Sequence, residues 1–239
     1  MKRILVTRPE PGASTTAAKL VERGYSAAVL PLTRIVPLSV REEHFSGPFT
    51  SVAATSANAV RHAPPRLLAT LRHLPAFAVG ERTKEAFRKH GFARIRSSRQ
   101  DAGKLAETIV AHSSRHMRVA YLCGRERTKV FEAEIDKRGM ESAAIETYDA
   151  EIVRYEADSL RKRLAGEPFD AVLLYSARAA EACGRLLESG AVELALFEKT
   201  RFLCLSPRIA TVLPGRWKER AVHCALPEEN ALFRLLANS

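Results

Sequence analysis

Residues 50–60 read T-S-V-A-A-T-S-A-N-A-V. A run of small and apolar residues ends at Thr55 and Ser56, and helix-forming residues follow it. This order is typical of a buried strand, a tight turn and the start of a helix. A turn of this kind offers hydroxyls and free backbone N–H groups at a helix N-terminus, which favours the binding of an anion.

The same pattern returns at residues 171–180, which read A-V-L-L-Y-S-A-R-A-A. Val172 and Ser176 follow Val52 and Ser56 by 120 residues. Three more pairs repeat in order at offsets of 115 to 126 residues: Ile4 and Val119, Gly24 and Gly139, Arg82 and Arg208. Because the offset changes slowly, we interpret the chain as a duplication with small loop insertions. The alternative is that any chain of alternating strands and helices looks self-similar.

Each pass through the repeat contains about five strand-like apolar runs that alternate with helix-like segments. This alternation favours an α/β fold with parallel sheets that are flanked by helices on both faces. Ser14 is expected to cap the first helix, and Asp101 or a neighbour is expected to cap a later helix that ends near residue 112.

Two extended segments, residues 33–38 and 147–155, lack a helix before the next loop. If both are crossing connectors, strands one and two of each pass pack with strands three to five of the other pass. We therefore expect two similar lobes joined by a two-stranded β hinge, with segments exchanged between the repeats. The expected bounds are residues 1–34 with 156–239 for one lobe, 39–146 for the other, and 35–38 with 147–155 for the ladder. Such crossovers leave a cleft between lobes, where ligands commonly bind.

The charge of the chain favours an anionic partner. Its 239 residues include 38 basic and 27 acidic side chains, which gives a net charge of +11. Nucleic acid, a polyanionic metabolite and anionic lipid all fit this excess, and so does a protein that is merely basic. The basic residues are scattered, and one Trp with five Tyr and ten Phe offers few platforms for base stacking. We therefore expect neither a nucleic-acid nor a membrane partner.

The cysteines and histidines show no metal-binding pattern. The four cysteines form no C-x-x-C pair, and the seven histidines have no ligand spacing. Most of the cysteines lie in apolar runs, which is typical of small core residues in a reduced, cytoplasmic protein. The first residues, M-K-R-I-L-V-T-R-P, have too short an apolar run for a signal peptide, and no run has the length of a membrane span.

Several motifs in order resemble the uroporphyrinogen-III synthase family. They are I-L-V-T-R-P at residues 4–9, T-S-A-N-A-V at 55–60, A-V-G-x-x-T at 78–83, and a looser match at 142–148. The resemblance extends over essentially the whole chain. It implies two α/β lobes joined by a β-ladder and a lyase that needs no metal or organic cofactor.

The resemblance also implies the reaction. The substrate is hydroxymethylbilane, a linear tetrapyrrole that carries carboxylates on every ring. It loses its terminal hydroxyl to give an azafulvene, and a spiro intermediate then leads to uroporphyrinogen III with the last ring inverted. This step belongs to tetrapyrrole biosynthesis, the route to haem, sirohaem and cobalamin. The free bilane closes without inversion, so catalysis depends mainly on orienting the substrate. The protein is expected to act as a monomer.

The expected substrate-binding residues lie in turns that follow strands. Hydroxyl, amide and glycine positions are Thr7, Thr55, Ser56, Asn58, Gly80, Gly124, Ser176 and Ser206. Arginines at such turns are Arg8, Arg82, Arg125, Arg178 and Arg208, and an arginine can bind a carboxylate through two hydrogen bonds. The competing interpretation is plain helix capping for the hydroxyls and solvated surface charge for the arginines.

The expected catalytic residues are Tyr148 and Thr83. Tyr148 matches a tyrosine that the family places near the hinge, where its phenol could donate a proton to the departing hydroxyl. The alternative is a half-buried aromatic ring that only packs. Thr83 matches the threonine of A-V-G-x-x-T. Residues 206–210 read S-P-R-I-A where the family often has G-P-T-T-A. Arg208 is therefore expected to replace the missing threonine as a substrate contact.

Another function remains open. The duplicated lobes and the absence of a strong catalytic constellation also fit a non-enzymatic protein that binds a tetrapyrrole or another anion, or a regulator of that kind.

Overall fold

A computed structural model describes residues 1–45, 47–98, 102–112 and 118–237. Asp101, which was expected to cap a helix, lies outside these residues. The chain divides into two units, Met1–Arg34 with Glu151–Ser239, and Ile35–Ala150. Within the described ranges no helix has the length and apolar character that a membrane crossing requires.

Strands and helices alternate along most of the chain. The strands are β1 (Arg3–Val6), β2 (Ser26–Val29), β3 (Thr33–Pro37), β4 (Ser51–Ala54), β5 (Ala76–Val79), β6 (Ile95–Ser98), β7 (Arg118–Gly124), β8 (Glu141–Ile152), β9 (Ala171–Leu174), β10 (Arg201–Cys204) and β11 (Ala221–His223). The helices are α1 (Gly12–Val21), α2 (Ala57–Arg61), α3 (Pro65–Leu71), α4 (Gly80–Lys89), α5 (Ala102–Ala111), α6 (Val130–Asp136), α7 (Ala157–Leu164), α8 (Ala177–Glu188), α9 (Pro207–Val212), α10 (Gly215–Glu219) and α11 (Glu229–Ala237).

The strands form two sheets. One has the order β11-β10-β9-β1-β2, and the other has the order β3-β8-β7-β4-β5-β6. The paired strands from β11 to β2 and from β8 to β6 run parallel. This arrangement confirms the predicted α/β class with parallel sheets and helices. Each sheet also combines strands from both copies of the sequence repeat.

Both faces of each sheet are buried, which explains why the strands read as unbroken apolar runs. In β1, Leu5 packs on one face with Val172, while Ile4 and Val6 pack on the other face with Leu173. The second sheet likewise has one apolar cluster on each face. Helices cover these faces, so the polar residues of the sheets that a ligand could reach lie mainly at the strand ends.

The start of α1 differs from the prediction. Ser14 was expected to cap this helix, but the helix begins at Gly12. The Glu10 carboxylate accepts hydrogen bonds from the Ser14 backbone N–H at 3.0 Å and from its hydroxyl at 2.8 Å. The side chain of Glu10 therefore binds the backbone N–H of Ser14 in the first turn, and the prediction that Ser14 caps the helix was wrong.

Candidate functional site at the carboxyl ends of the strands

The carboxyl ends of parallel strands meet at one edge of a sheet, and ligands commonly bind there. In the unit Ile35–Ala150, this edge carries the residues that follow β4, β5 and β7. They include Thr55 and Ser56 after β4, Gly80 after β5, and Gly124 with Arg125 at the end of β7. The topology therefore places these predicted residues at a common edge.

Tyr148 and Ser56 are joined by a hydrogen bond. The Tyr148 phenol donates to Oγ of Ser56 at 3.3 Å. The same Oγ accepts from the Asn58 backbone N–H at 3.2 Å, so Ser56 caps α2. Burial raises the pKa of Tyr148, and the hydrogen bond to Ser56 opposes that rise in part. The phenol is therefore protonated at neutral pH and can act as a proton donor.

Gly124 leaves space for the Tyr148 ring. The pairing of β7 with β8 shifts register between Cys123 and Gly124, where Gly124 lies opposite Tyr148. A Cβ atom on Gly124 would lie 2.7 Å from Cζ of Tyr148. The Arg125 backbone N–H donates to the Tyr148 carbonyl at 2.9 Å. The close approach of the ring thus requires glycine at this position.

Thr55 contacts a tyrosine that the sequence did not single out. Its Oγ1 lies 2.8 Å from the phenol oxygen of Tyr121. Tyr121 lies on β7 and is almost fully buried, which raises the pKa of its phenol strongly. An interior strand tyrosine is indistinguishable by pattern from an ordinary core residue, so no sequence signal identifies this pair.

The residues after β5 divide into exposed and buried positions. α4 begins at Gly80, whose φ of +73° is the left-handed conformation that favours glycine. Arg82 is exposed and lines a cavity of about 290 Å³ with Arg61 and Lys89. Thr83 lies on the buried face of α4 and is only 3% exposed. The catalytic role expected for its hydroxyl stays a prediction.

In the other unit, the side chain of Thr7 makes a hydrogen bond within the chain. It is fully buried directly after strand β1, and its hydroxyl donates to the Leu173 carbonyl at 2.7 Å. The hydroxyl therefore connects the end of β1 to β9, and its expected contact with the substrate stays a prediction.

Arg8 binds a carboxylate of the chain itself. Its Nη1 lies 2.9 Å from Oε1 of Glu229, and its guanidinium lies over the ring of Tyr175 with 4.3 Å from Cζ to the ring centroid. Thr16 donates to the same Oε1 at 2.7 Å, and Lys19 forms an ion pair with Oε2. Glu229 is 221 residues from Arg8 along the chain, so no local motif predicts this cluster.

The charges around Glu229 control its ionisation. Burial acts to raise the pKa of this carboxyl. Hydrogen bonds from Lys19 and Thr16, together with the charges of Lys19 and Arg8, outweigh burial and lower the pKa below its ordinary value. Glu229 is therefore an anion at neutral pH and neutralises part of the positive charge of Arg8 and Lys19.

The remaining predicted residues of this unit follow β9 and β10. Ser176 caps α8 and accepts a hydrogen bond from the Ala179 backbone N–H at 3.1 Å. Ser206 stands at the equivalent position before α9 and makes no such capping bond. Arg178 is half-buried near the start of α8, and Arg208 is exposed near the start of α9.

The thiols are buried, and the described part of the chain contains no group of three or more His, Cys, Asp or Glu side chains that could hold a metal ion. Burial raises the pKa of Cys123, Cys183 and Cys204 to about 12 in each case. All four cysteines are free, and these thiols are thus poor nucleophiles at neutral pH.

Comparisons with known proteins identify similar chains. The family model described as uroporphyrinogen-III synthase HemD matches residues 14–234. No curated protein matches the chain at a significant level. The fold is similar to uroporphyrinogen-III synthetase from Helicobacter pylori, with 18% identity, a TM-score of 0.65 and coverage of 100% of this chain and 99% of that one. It is also similar to a mutant uroporphyrinogen III synthase from Thermus thermophilus, with 16% identity, a TM-score of 0.57 and coverage of 100% and 97%.

Proposed function

Because the chain belongs to the uroporphyrinogen-III synthase family, we propose that it cyclises hydroxymethylbilane to uroporphyrinogen III with inversion of the last pyrrole ring and loss of water. The protein is then a lyase of tetrapyrrole biosynthesis. The single observation that supports the chemistry best is the contact between Tyr148 and Ser56. It provides a protonated phenol, held by one hydrogen bond, at the edge where the predicted substrate-binding turns meet.

Tyr148 is the proton donor in this proposal. Its phenol protonates the terminal hydroxyl of the bilane, the carbon–oxygen bond breaks, and water leaves. An electron pair of the adjacent pyrrole completes the cationic azafulvene. The phenolate later recovers the proton that is released when the closed macrocycle regains its pyrrole rings. Proton transfer of this kind typically contributes about 10² to 10⁴-fold to a rate.

The rest of the acceleration comes from orientation. A flexible chain of four rings must be held so that the substituted end of the last ring attacks, and a well-oriented intramolecular step can gain about 7 to 11 kcal/mol. Strand-end turns and arginines bind the carboxylates that make this possible. We assign this role in the unit Ile35–Ala150 to Thr55, Ser56, Asn58, Gly80, Arg82, Gly124 and Arg125. In the other unit we assign it to Ser176, Arg178, Ser206 and Arg208.

The surplus of basic residues supports a polyacidic substrate. The net charge of +11 raises the local concentration of an anion and speeds its encounter with the protein. Since the basic residues are spread over both units, no single tract suits a nucleic-acid backbone. We propose a monomer that acts in the cytoplasm without a nucleic-acid partner, which sedimentation and a salt-dependent DNA-binding assay would test.

The test of the proposed function is an isomer analysis. Purified protein is mixed with hydroxymethylbilane, and the type I and type III products are separated after oxidation to porphyrins. Formation of the type III isomer supports the enzyme. Binding of a tetrapyrrole with no change in the isomer ratio would instead identify the non-enzymatic binding protein.

A further inference from the structure

Arg127 lies between β7 and α6 and holds four acceptors at once. Its Nε is 2.7 Å from Oε1 of Glu132, and its Nη1 is 3.0 Å from Oε1 of Glu146. Nη1 also lies 3.1 Å from the Gly124 carbonyl and 3.3 Å from the Arg125 carbonyl. Only 18% of the side chain is exposed. A planar guanidinium can satisfy several acceptors in fixed directions, which a lysine ammonium cannot do in the same way.

Arg127 binds the carbonyls of the Gly124–Arg125 turn, and the same turn packs against Tyr148. The Gly124 backbone lies so close to the Tyr148 ring that an added Cβ atom would be 2.7 Å from Cζ. The Arg125 N–H fixes the carbonyl of Tyr148 at 2.9 Å. A displacement of the turn would therefore move both the ring and the backbone of Tyr148, although Arg127 itself does not touch the phenol oxygen.

Arg127 also neutralises two carboxylates near this edge. Glu132 is 20% exposed and Glu146 is 39% exposed, and both pair with Arg127. Without Arg127, Glu132 would lose its ion pair and Glu146 would keep only the longer pair with Arg125 at 3.5 Å, near turns that are proposed to bind a polyacid. Because the charges are partly buried, solvent and salt would screen them only in part.

We propose that Arg127 is a positioning residue for the cyclisation, which holds the Gly124–Arg125 turn so that the Tyr148 phenol is correctly placed. This inference rests on the proposed function. Arg127 affects the chemical step through the Gly124–Arg125 turn and does not contact the substrate.

The test compares Arg127→Lys with a matched control, Arg138→Lys. Arg138 is also a partly buried arginine of the same unit that binds two carboxylates, those of Glu134 and Glu107, and the carbonyl of Glu134. It lies after α6, at the opposite end of that helix from the Gly124–Arg125 turn. Lysine keeps the positive charge in both variants. We expect Arg127→Lys to lower kcat about tenfold with KM within about twofold of wild type, and Arg138→Lys to leave both within about twofold.

A spectroscopic measurement tests the positioning without turnover. The tyrosines are replaced by 3-fluorotyrosine, and the ¹⁹F resonance of Tyr148 is assigned by its loss in Tyr148→Phe. We expect Arg127→Lys to shift this resonance and Arg138→Lys to leave it in place. An unshifted resonance in Arg127→Lys contradicts the proposal whether or not the protein is an enzyme.

The kinetic outcomes separate this inference from the proposed function. If wild-type protein makes the type III isomer and Arg127→Lys retains the wild-type kcat, the positioning role is wrong and the function stands. If wild-type protein makes only type I, the function itself is wrong. Should Arg127→Lys fail to fold, Glu132→Gln is measured instead, since it removes the charge of the carboxylate that binds Nε of Arg127. A fall in kcat of about threefold then supports the proposal, and an unchanged kcat contradicts it.

Discussion

The phenol of Tyr148 donates a hydrogen bond of 3.3 Å to the hydroxyl oxygen of Ser56, the residue that also caps helix α2. The two residues are separated by 92 positions in the chain. They come together because parallel pairing places the ends of β4 and β7 beside the part of β8 that contains Tyr148. The Tyr148 phenol is thus fixed at the edge of the sheet by Ser56, whose own position is set by helix α2.

Tyr148→Phe tests the chemical role of the phenol. The substitution keeps the ring that packs against Gly124 and removes only the proton donor, so we expect kcat to fall about 100-fold while the folded state is retained. Steady-state kinetics and circular dichroism check this. Tyr155→Phe is a suitable control, because it also removes a hydrogen bond, here 2.7 Å to the Pro31 carbonyl. If Tyr148→Phe and the control Tyr155→Phe have the same kcat and KM, Tyr148 has no chemical role.

Gly124→Ala tests the close approach of the turn to the ring. A Cβ atom 2.7 Å from Cζ of Tyr148 cannot be accommodated unless the ring or the turn moves. We expect a loss of activity of about tenfold or more, with a smaller change in KM than in kcat, since misplacement of a reacting group is costly. Wild-type kcat in this variant would show that the position of the ring does not matter.

The two serines before α8 and α9 should differ in their effects on stability. Ser176 accepts a capping hydrogen bond and Ser206 does not. Ser176→Ala is therefore expected to lower the free energy of unfolding by about 1 kcal/mol, and Ser206→Ala by less than about 0.5 kcal/mol. Urea denaturation of both variants measures the difference. A reversed order would contradict the capping assignment.

The Glu229 cluster should make stability depend on pH in the acid range. Because the folded-state pKa of Glu229 is lowered, the carboxylate stabilises the folded state above its ordinary pKa of 4.5. This contribution is lost as the pH falls through the lower, folded-state pKa. Urea denaturation from pH 7 to pH 3 should show Glu229→Gln less stable than wild type at neutral pH, with the gap narrowing as the pH falls below 4.5. A gap that is constant over this range would show that the charge of Glu229 contributes nothing.

The buried thiols should react only after unfolding. Burial raises the pKa of Cys123, Cys183 and Cys204 to about 12, and Cys224 is also buried with a raised pKa. At pH 8 we therefore expect a thiol reagent to modify the native protein slowly and the denatured protein at all four cysteines within minutes. Rapid modification of the native protein at any cysteine would contradict the burial.

The sequence alone was sufficient for the α/β class and the family. Parallel strands that are buried on both faces produce unbroken apolar runs. The helices between them show a different spacing of apolar residues, so the two kinds of segment are easy to recognise. The turn at Thr55 and Ser56 could be located because its residue types are those that helix starts require.

The contacts within the candidate site were less accessible from the sequence. Thr83 matched a family motif, yet its place on the inner face of α4 buries it. The pairing of Arg8 with Glu229 and of Thr55 with Tyr121 joins residues that are far apart in the chain, and only the packed structure brings them together. Ser14 resembled a helix cap, but the helix begins at Gly12, and the Glu10 carboxylate accepts a hydrogen bond from the Ser14 N–H.

The most direct measurement is the isomer ratio of the porphyrins formed from hydroxymethylbilane in the presence of the purified wild-type protein. The proposed function predicts a product dominated by the type III isomer, with a rate proportional to the protein concentration. Accumulation of the type I isomer alone, at the rate of the protein-free control, would contradict it.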